Sequence, residues 1–149
     1  MRRVAITGTR DTGHRGEGDY ERLFERYLAP FAFDAHFYVG GAVGIDTLCL
    51  LWLARATTAR ITVVVPGTVS QQPAAARRAV TVAAHRVGEL VELGAAPLHS
   101  PAYHARNRWM VDRAELTVGF PHGTKPSSGT WQTLDYTAAS GKPRLIVPV

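Results

Sequence analysis

Cysteine, lysine and long apolar runs are what this sequence has least of. Its one cysteine, Cys49, lies inside an apolar run, so no disulfide framework can form within the chain and a cysteine-based zinc site has no basis. The six histidines (His14, His36, His85, His99, His104, His122) form no H-x-x-x-H pair, and no metal is expected. The longest strongly apolar stretch, Thr47 to Ala54, falls far short of a membrane span. Between Met1 and its first glycine, Gly8, the N-terminus has two arginines but only three apolar residues. That does not read as a secretory leader, so a cytoplasmic protein with no membrane partner is expected. No Walker-type G-x-x-x-x-G-K-[ST] and no G-x-S-x-G occurs, which argues against P-loop and α/β-hydrolase chemistry. No cofactor is expected.

The 149 residues are one domain's worth. A chain of that size buries roughly 68–70% of its unfolded surface and folds without staples. With 46% hydrophobic and 19% charged residues, it belongs with globular chains rather than disordered ones. The net charge is +5, which favours phosphate-bearing partners. Arginine outnumbers lysine 15 to 2. Arginine suits bidentate phosphate contacts, although a coding bias explains the ratio equally well. Five acids cluster between Asp11 and Glu25, and bases dominate from Gly94 onward.

β-type runs alternate with helical ones. Strands are expected at Arg3 to Thr7, His36 to Val39, Ile61 to Val65, Glu89 to Leu93, Glu115 to Phe120 and Pro143 to Val147. Val/Ile-rich runs bounded by Gly or Pro imply a sheet covered on both faces. Helices are expected at Asp19 to Phe31, Gly44 to Ala56, Ala74 to Arg86, Pro101 to Arg113 (capped by Ser100, with Pro101 opening it) and Ser128 to Ala139, stopped by Gly141. The alternation predicts an α/β, Rossmann-like, doubly wound and mostly parallel sheet flanked by helices on both faces, as a single domain over 1–149. Trp52, Trp109 and Met110 exceed what helices on so small a sheet need, so a twofold homodimer or higher homo-oligomer is expected.

Ligands of such sheets sit beyond the carboxyl ends of the strands. The candidate loops there are Gly8-Thr9-Arg10, Gly40-Gly41-Ala42-Val43-Gly44, Pro66-Gly67-Thr68 and Ser127-Ser128-Gly129-Thr130, the last opening a helix just after Lys125. Glycine lets backbone approach an anion, while hydroxyls and helix N-termini donate to it. Each loop alone is adequately explained as a turn or a cap; as a set they point to an anion site. Asp46, in the first turn of its helix, reads as a partner for free backbone donors. Arg106 and Arg108 lie about 200° apart on a helix, so one reaches the pocket and the other points away. Beside Trp109 and Met110, Arg106 reads as a snorkelling side chain.

Together these residues resemble the SLOG superfamily of Rossmann-like proteins, over nearly the whole chain. Ile6-Thr7-Gly8-Thr9-Arg10 is similar to its first-strand G-[ST]-R. Gly40-Gly41-Ala42-Val43-Gly44-Ile45-Asp46 is similar to the S-G-x-A-x-G-I-D of its DprA branch, and Ala105-Arg106-Asn107-Arg108 to that branch's R-N-R. Ser128-Gly129-Thr130 stands where the LOG phosphoribohydrolase branch has P-G-G-x-G-T. The resemblance implies a nucleotide or nucleotide-derived ligand. Ser128, Gly129 and Thr130, helped by Arg106, would hold its phosphate. Gly8, Thr9 and Arg10, with Gly40, Gly41 and Gly44, would face the base or ribose. A sensor-type nucleotide-binding protein ranks first. Second is a LOG-like hydrolase of nucleoside 5′-monophosphates, although Thr133 stands where that branch has its catalytic glutamate and no catalytic residue can be assigned. DprA-like binding of single-stranded DNA is third.

Overall fold

The computed structural model describes residues 1–149. Six strands, β1 (Arg2–Gly8), β2 (Ala35–Gly40), β3 (Arg60–Val65), β4 (Val87–Glu92), β5 (Leu116–Phe120) and β6 (Arg144–Ile146), form one sheet in the order β4-β3-β2-β1-β5-β6. Every neighbouring pair is parallel. The helices are α1 (Glu17–Tyr27), α2 (Ala29–Ala32), α3 (Ile45–Ala56), α4 (Ala74–Ala83), α5 (Ser100–Arg113) and α6 (Gly129–Ala139). The expected Rossmann-like α/β architecture is the one observed. No helix is long and apolar enough to cross a membrane.

Strands alternate their side chains between two unequal faces. Val4, Ile6, Phe37, Val39, Ile61, Val63, Val118 and Phe120 point toward α1, α3 and α4 and belong to a core of 23 buried residues. Phe24 of α1 meets Phe120 edge-on at 5.3 Å between ring centres and tilts against Trp52 of α3 at 5.9 Å. Gly8 is small because a Cβ there would sit 2.4 Å from the Ile45 side chain, which lets α3 press on the end of β1. The other face, under α5 and α6, is more polar. Its small apolar cluster joins Ala5, Tyr38 and Val64 to Met110 and Ala114, and beside it Thr137 donates to Thr117 at 2.9 Å.

Several local expectations need correction. The predicted helix at Asp19 to Phe31 is two: Pro30 has no N–H to donate, and the chain breaks at Leu28 before α2 starts. The fourth strand begins and ends earlier than expected, at Val87–Glu92, with a register shift opposite Ile61 and Thr62. Helix α5 starts at Ser100, with His99 rather than Ser100 at the N-cap position and no side-chain cap, and α4 ends at Ala83 rather than Arg86. The motive for a dimer weakens too. Trp52 and Met110 are core residues, and Trp109 is half-buried between Tyr38 and the Arg113 guanidinium, which stacks 3.6 Å from its ring.

Candidate functional site

The chain leaves β1 through β4 on one side and β5 and β6 on the other, so the topological switch point lies between β1 and β5. A cleft of about 470 Å³ opens there, at the carboxyl ends of the strands. Three hydrogen bonds fix its walls. Thr9 N–H donates to Phe120 O at 3.1 Å, Ile45 N–H donates to Thr9 O at 3.0 Å, and Ser128 N–H donates to Lys125 O at 3.1 Å. The loop after β1 is thereby held between β5 and α3. Farther out, the His14 and His122 rings stack at 3.7 Å and bring the loops after β1 and β5 together.

Seven of the ten residues singled out from sequence line the cleft: Gly8, Thr9, Arg10, Arg106, Ser128, Gly129 and Thr130. Gly40, Gly41 and Gly44 do not, and each has a packing reason to be glycine. A Cβ on Gly41 would meet the Val65 side chain at 2.4 Å. Gly44 has φ 81°, and a Cβ there would lie 2.4 Å from the Thr9 carbonyl, so it lets the loops after β1 and β2 cross. A Cβ on Gly40 would fall 2.5 Å from Asp46 Oδ2 and 2.8 Å from Arg106 Nη1. Gly40 therefore makes room for two buried charges beneath the cleft.

Those charges revise two expectations. Arg106 does not snorkel. It is only 3% exposed, on the α5 stripe that also buries Ala102 and Met110. Its Nε donates to Asn107 Oδ1 at 2.7 Å and its Nη1 to Val64 O at 3.3 Å. It is thus anchored over β2 and β3, across β1 from the α6 N-terminus that it was expected to assist. Asp46 is 7% exposed and also lines the cleft. It accepts one backbone N–H, from Ala42, at 3.4 Å. Burial pushes its carboxyl up to about 6, with the Arg106 charge pulling the other way. The five ion pairs of the chain are all elsewhere.

At the opposite wall, Ser128 caps α6. Its Oγ accepts Trp131 N–H at 3.2 Å and its carbonyl accepts Gln132 N–H at 2.9 Å. The amides of Gly129 and Thr130, the first two of the helix, are free of intrahelical partners, and such amides can receive an anion. Trp131 Nε1 donates to Gly123 O at 2.9 Å and props the preceding loop. Arg10 lies over the Tyr103 ring at 4.8 Å, on the rim. Arg108, as expected, points away from this cleft, to a smaller one between α5 and α6. Thr133 faces that second cleft and donates to Gly129 O at 2.7 Å.

Sequence reasoning missed Asp11, Asp46, Ser100, Tyr103, His104 and Asn107 as cleft residues. A signal for part of the set existed: Ser100, Tyr103 and Asn107 recur at i, i+3 and i+7, one face of α5. For Asp46 there was none, because a first-turn aspartate is ordinarily a helix-end residue.

No protein-family model matches the chain. No curated protein matches it either. Its fold is similar to two solved structures of DNA processing protein A. The one from Helicobacter pylori, described for its single-stranded DNA binding mode, has a TM-score of 0.74 at 18% identity, over 99% of this chain and 66% of that one. The one from Streptococcus pneumoniae has a TM-score of 0.75 at 19% identity, over 100% of this chain and 51% of that one. The chain thus spans one half to just under two thirds of these proteins. It has the DprA-like Rossmann fold that its motifs resemble.

Proposed function

We propose that the chain binds a nucleotide or nucleotide-derived ligand in the cleft between β1 and β5. The observation that carries this reading is Arg106, a guanidinium almost wholly buried, with no carboxylate in ion-pair contact, at the wall of an open polar cleft. Arginine cannot shed its charge, and a desolvated charge facing a cleft favours an anionic or strongly polar ligand. Across the cleft, the amides of Gly129 and Thr130 supply the phosphate-type contacts, and Arg10 guards the rim. A volume of about 470 Å³ suits a mononucleotide.

Calorimetry with the four ribonucleoside 5′-monophosphates tests it. At least one should bind, and Arg106→Gln should weaken that binding by about 30-fold or more. Failure of all four to bind would overturn the reading. A second reading, single-stranded DNA binding, is favoured by the likeness to DNA processing protein A. Under it, a labelled oligothymidine binds tightly while mononucleotides do not. The hydrolase alternative finds little support, because Thr133 is buried and bonded to the α6 backbone.

A further inference from the structure

Asp46 and Arg106 both crowd the space above Gly40, yet they form no ion pair. The Asp46 carboxylate has one hydrogen bond in the protein, a long one from the Ala42 amide. None of its oxygens is sealed off without a partner, so its spare acceptor capacity opens onto the cleft it lines. An ionised carboxylate can only accept hydrogen bonds and a guanidinium can only donate them. A group that serves both must donate and accept at once. A phosphate is anionic and would be repelled by the Asp46 carboxylate. An ammonium only donates, and a carbonyl only accepts. A hydroxyl does both, and so does the amide edge of a base.

The topology adds a length. Asp46 follows β2 and the α6 N-terminus follows β5, with β1 between them. Two strand spacings give a lateral offset of roughly 10 Å between the two walls. A hydrogen bond at each end takes roughly 3 Å, leaving roughly 4 Å for the ligand between its two contacts. That is about the reach from a 5′-phosphate to the nearer ribose hydroxyl, on C3′, and well short of the far edge of a base.

We propose that Asp46 and Arg106 together grip a ribose hydroxyl, so that the cleft selects 5′-ribonucleotides over their deoxy counterparts. This rests on the nucleotide reading above and assigns the sugar to the wall formed by α3 and α5, leaving the phosphate to α6. Asp46 becomes the specificity residue.

The experiment is calorimetry with whichever ribonucleoside monophosphate binds, beside its 2′-deoxy and 3′-deoxy forms. The wild-type protein should bind one deoxy form at least about tenfold more weakly. In Asp46→Ala, checked for folding by its melting curve, that preference should fall to within about threefold. Equal affinity of the wild-type protein for ribo and deoxy forms would overturn the inference and leave nucleotide binding standing. An undiminished preference in Asp46→Ala would also overturn it. Absence of binding by any mononucleotide would overturn both. The wild-type comparison decides the matter even if the variant does not fold.

Discussion

At the scale of single residues, Asp46 stores a measurable instability. Its carboxyl is held near 6, mainly by burial, against the favourable pull of Arg106, the Ala42 amide and Arg10. An acid whose pKa is raised on folding binds its proton more readily in the native state. Stability therefore falls as pH rises from about 4, where the unfolded chain ionises, to about 6, where the native one does. Above that window the penalty is constant, on the order of 3 kcal/mol. Asp46→Asn carries no such penalty. Urea unfolding should find the two proteins similar near pH 4 and the variant more stable by about 1–3 kcal/mol at pH 7. Parallel stability profiles across the window would show that Asp46 is not a desolvated acid. Cys49, one turn along α3, is the neighbour to control for, because burial and the Asp46 charge hold its thiol well above its ordinary range. The burial of Asp46 and Arg106 could not be read from sequence. Their solvent is excluded by Gly40, Val64 and Ala42, which lie on other elements, whereas helical spacing reports only on neighbours along the same helix.

At the scale of elements, α6 separates the demands of folding from those of binding. Gly129 has φ in the ordinary range, and a Cβ there would meet nothing within 4 Å. An aspartate therefore fits. At the first position of a helix its charge is favourable by about 0.3–1 kcal/mol, and glycine's helical penalty disappears with it. Gly129→Asp should thus melt no lower than the wild-type protein. The same carboxylate would stand where an anion is expected, so mononucleotide affinity should drop by at least about tenfold. Unchanged affinity would move the phosphate away from α6. Elements differed in how plainly the sequence announced them. The central strands β1, β2 and β3 were legible because buried runs of β-branched and aromatic residues leave few alternatives. The fourth strand lies at the edge of the sheet, where Leu90 is 43% exposed. Its outward positions impose no apolar pattern, and the register shift at Ile61 and Thr62 moves its start. The glycines after β2 were expected to face a ligand, whereas the structure gives each a packing reason. Gly44 in a left-handed conformation and Gly40 beneath two charges read identically as letters.

For the whole molecule, the open question is whether the partner is a small nucleotide or a strand of DNA, and the charge layout makes opposite claims about salt. The acidic segment from Asp11 to Glu25 follows the first cleft loop directly. Two of its acids are paired: Asp19 with Arg22, and Glu21 with Arg55. Asp11 is part of the cleft wall, and Glu17 and Glu25 form no ion pair. A polyanion crossing this rim would meet those charges, whereas a mononucleotide inside the cleft need not. A strand that neutralises several phosphates loses affinity with a log–log salt slope of about −0.7 per phosphate. One phosphate held by the α6 amides should show a slope no steeper than a single contact gives. We therefore expect mononucleotide binding to weaken by no more than about threefold between about 0.05 and 0.2 M salt, which is what one contact with a slope of about −0.7 gives over a fourfold change. Anisotropy with a labelled oligothymidine should show weak binding near 0.15 M salt. Submicromolar oligothymidine binding with a slope of several units would instead extend to this chain the single-stranded DNA binding described for the Helicobacter pylori protein. It would require the strand to avoid the α1 side and run over Arg108 and His104 along the cleft between α5 and α6. Arg108→Ala should then reduce the slope by about one contact, and in the mononucleotide reading it should leave affinity within about twofold of wild type.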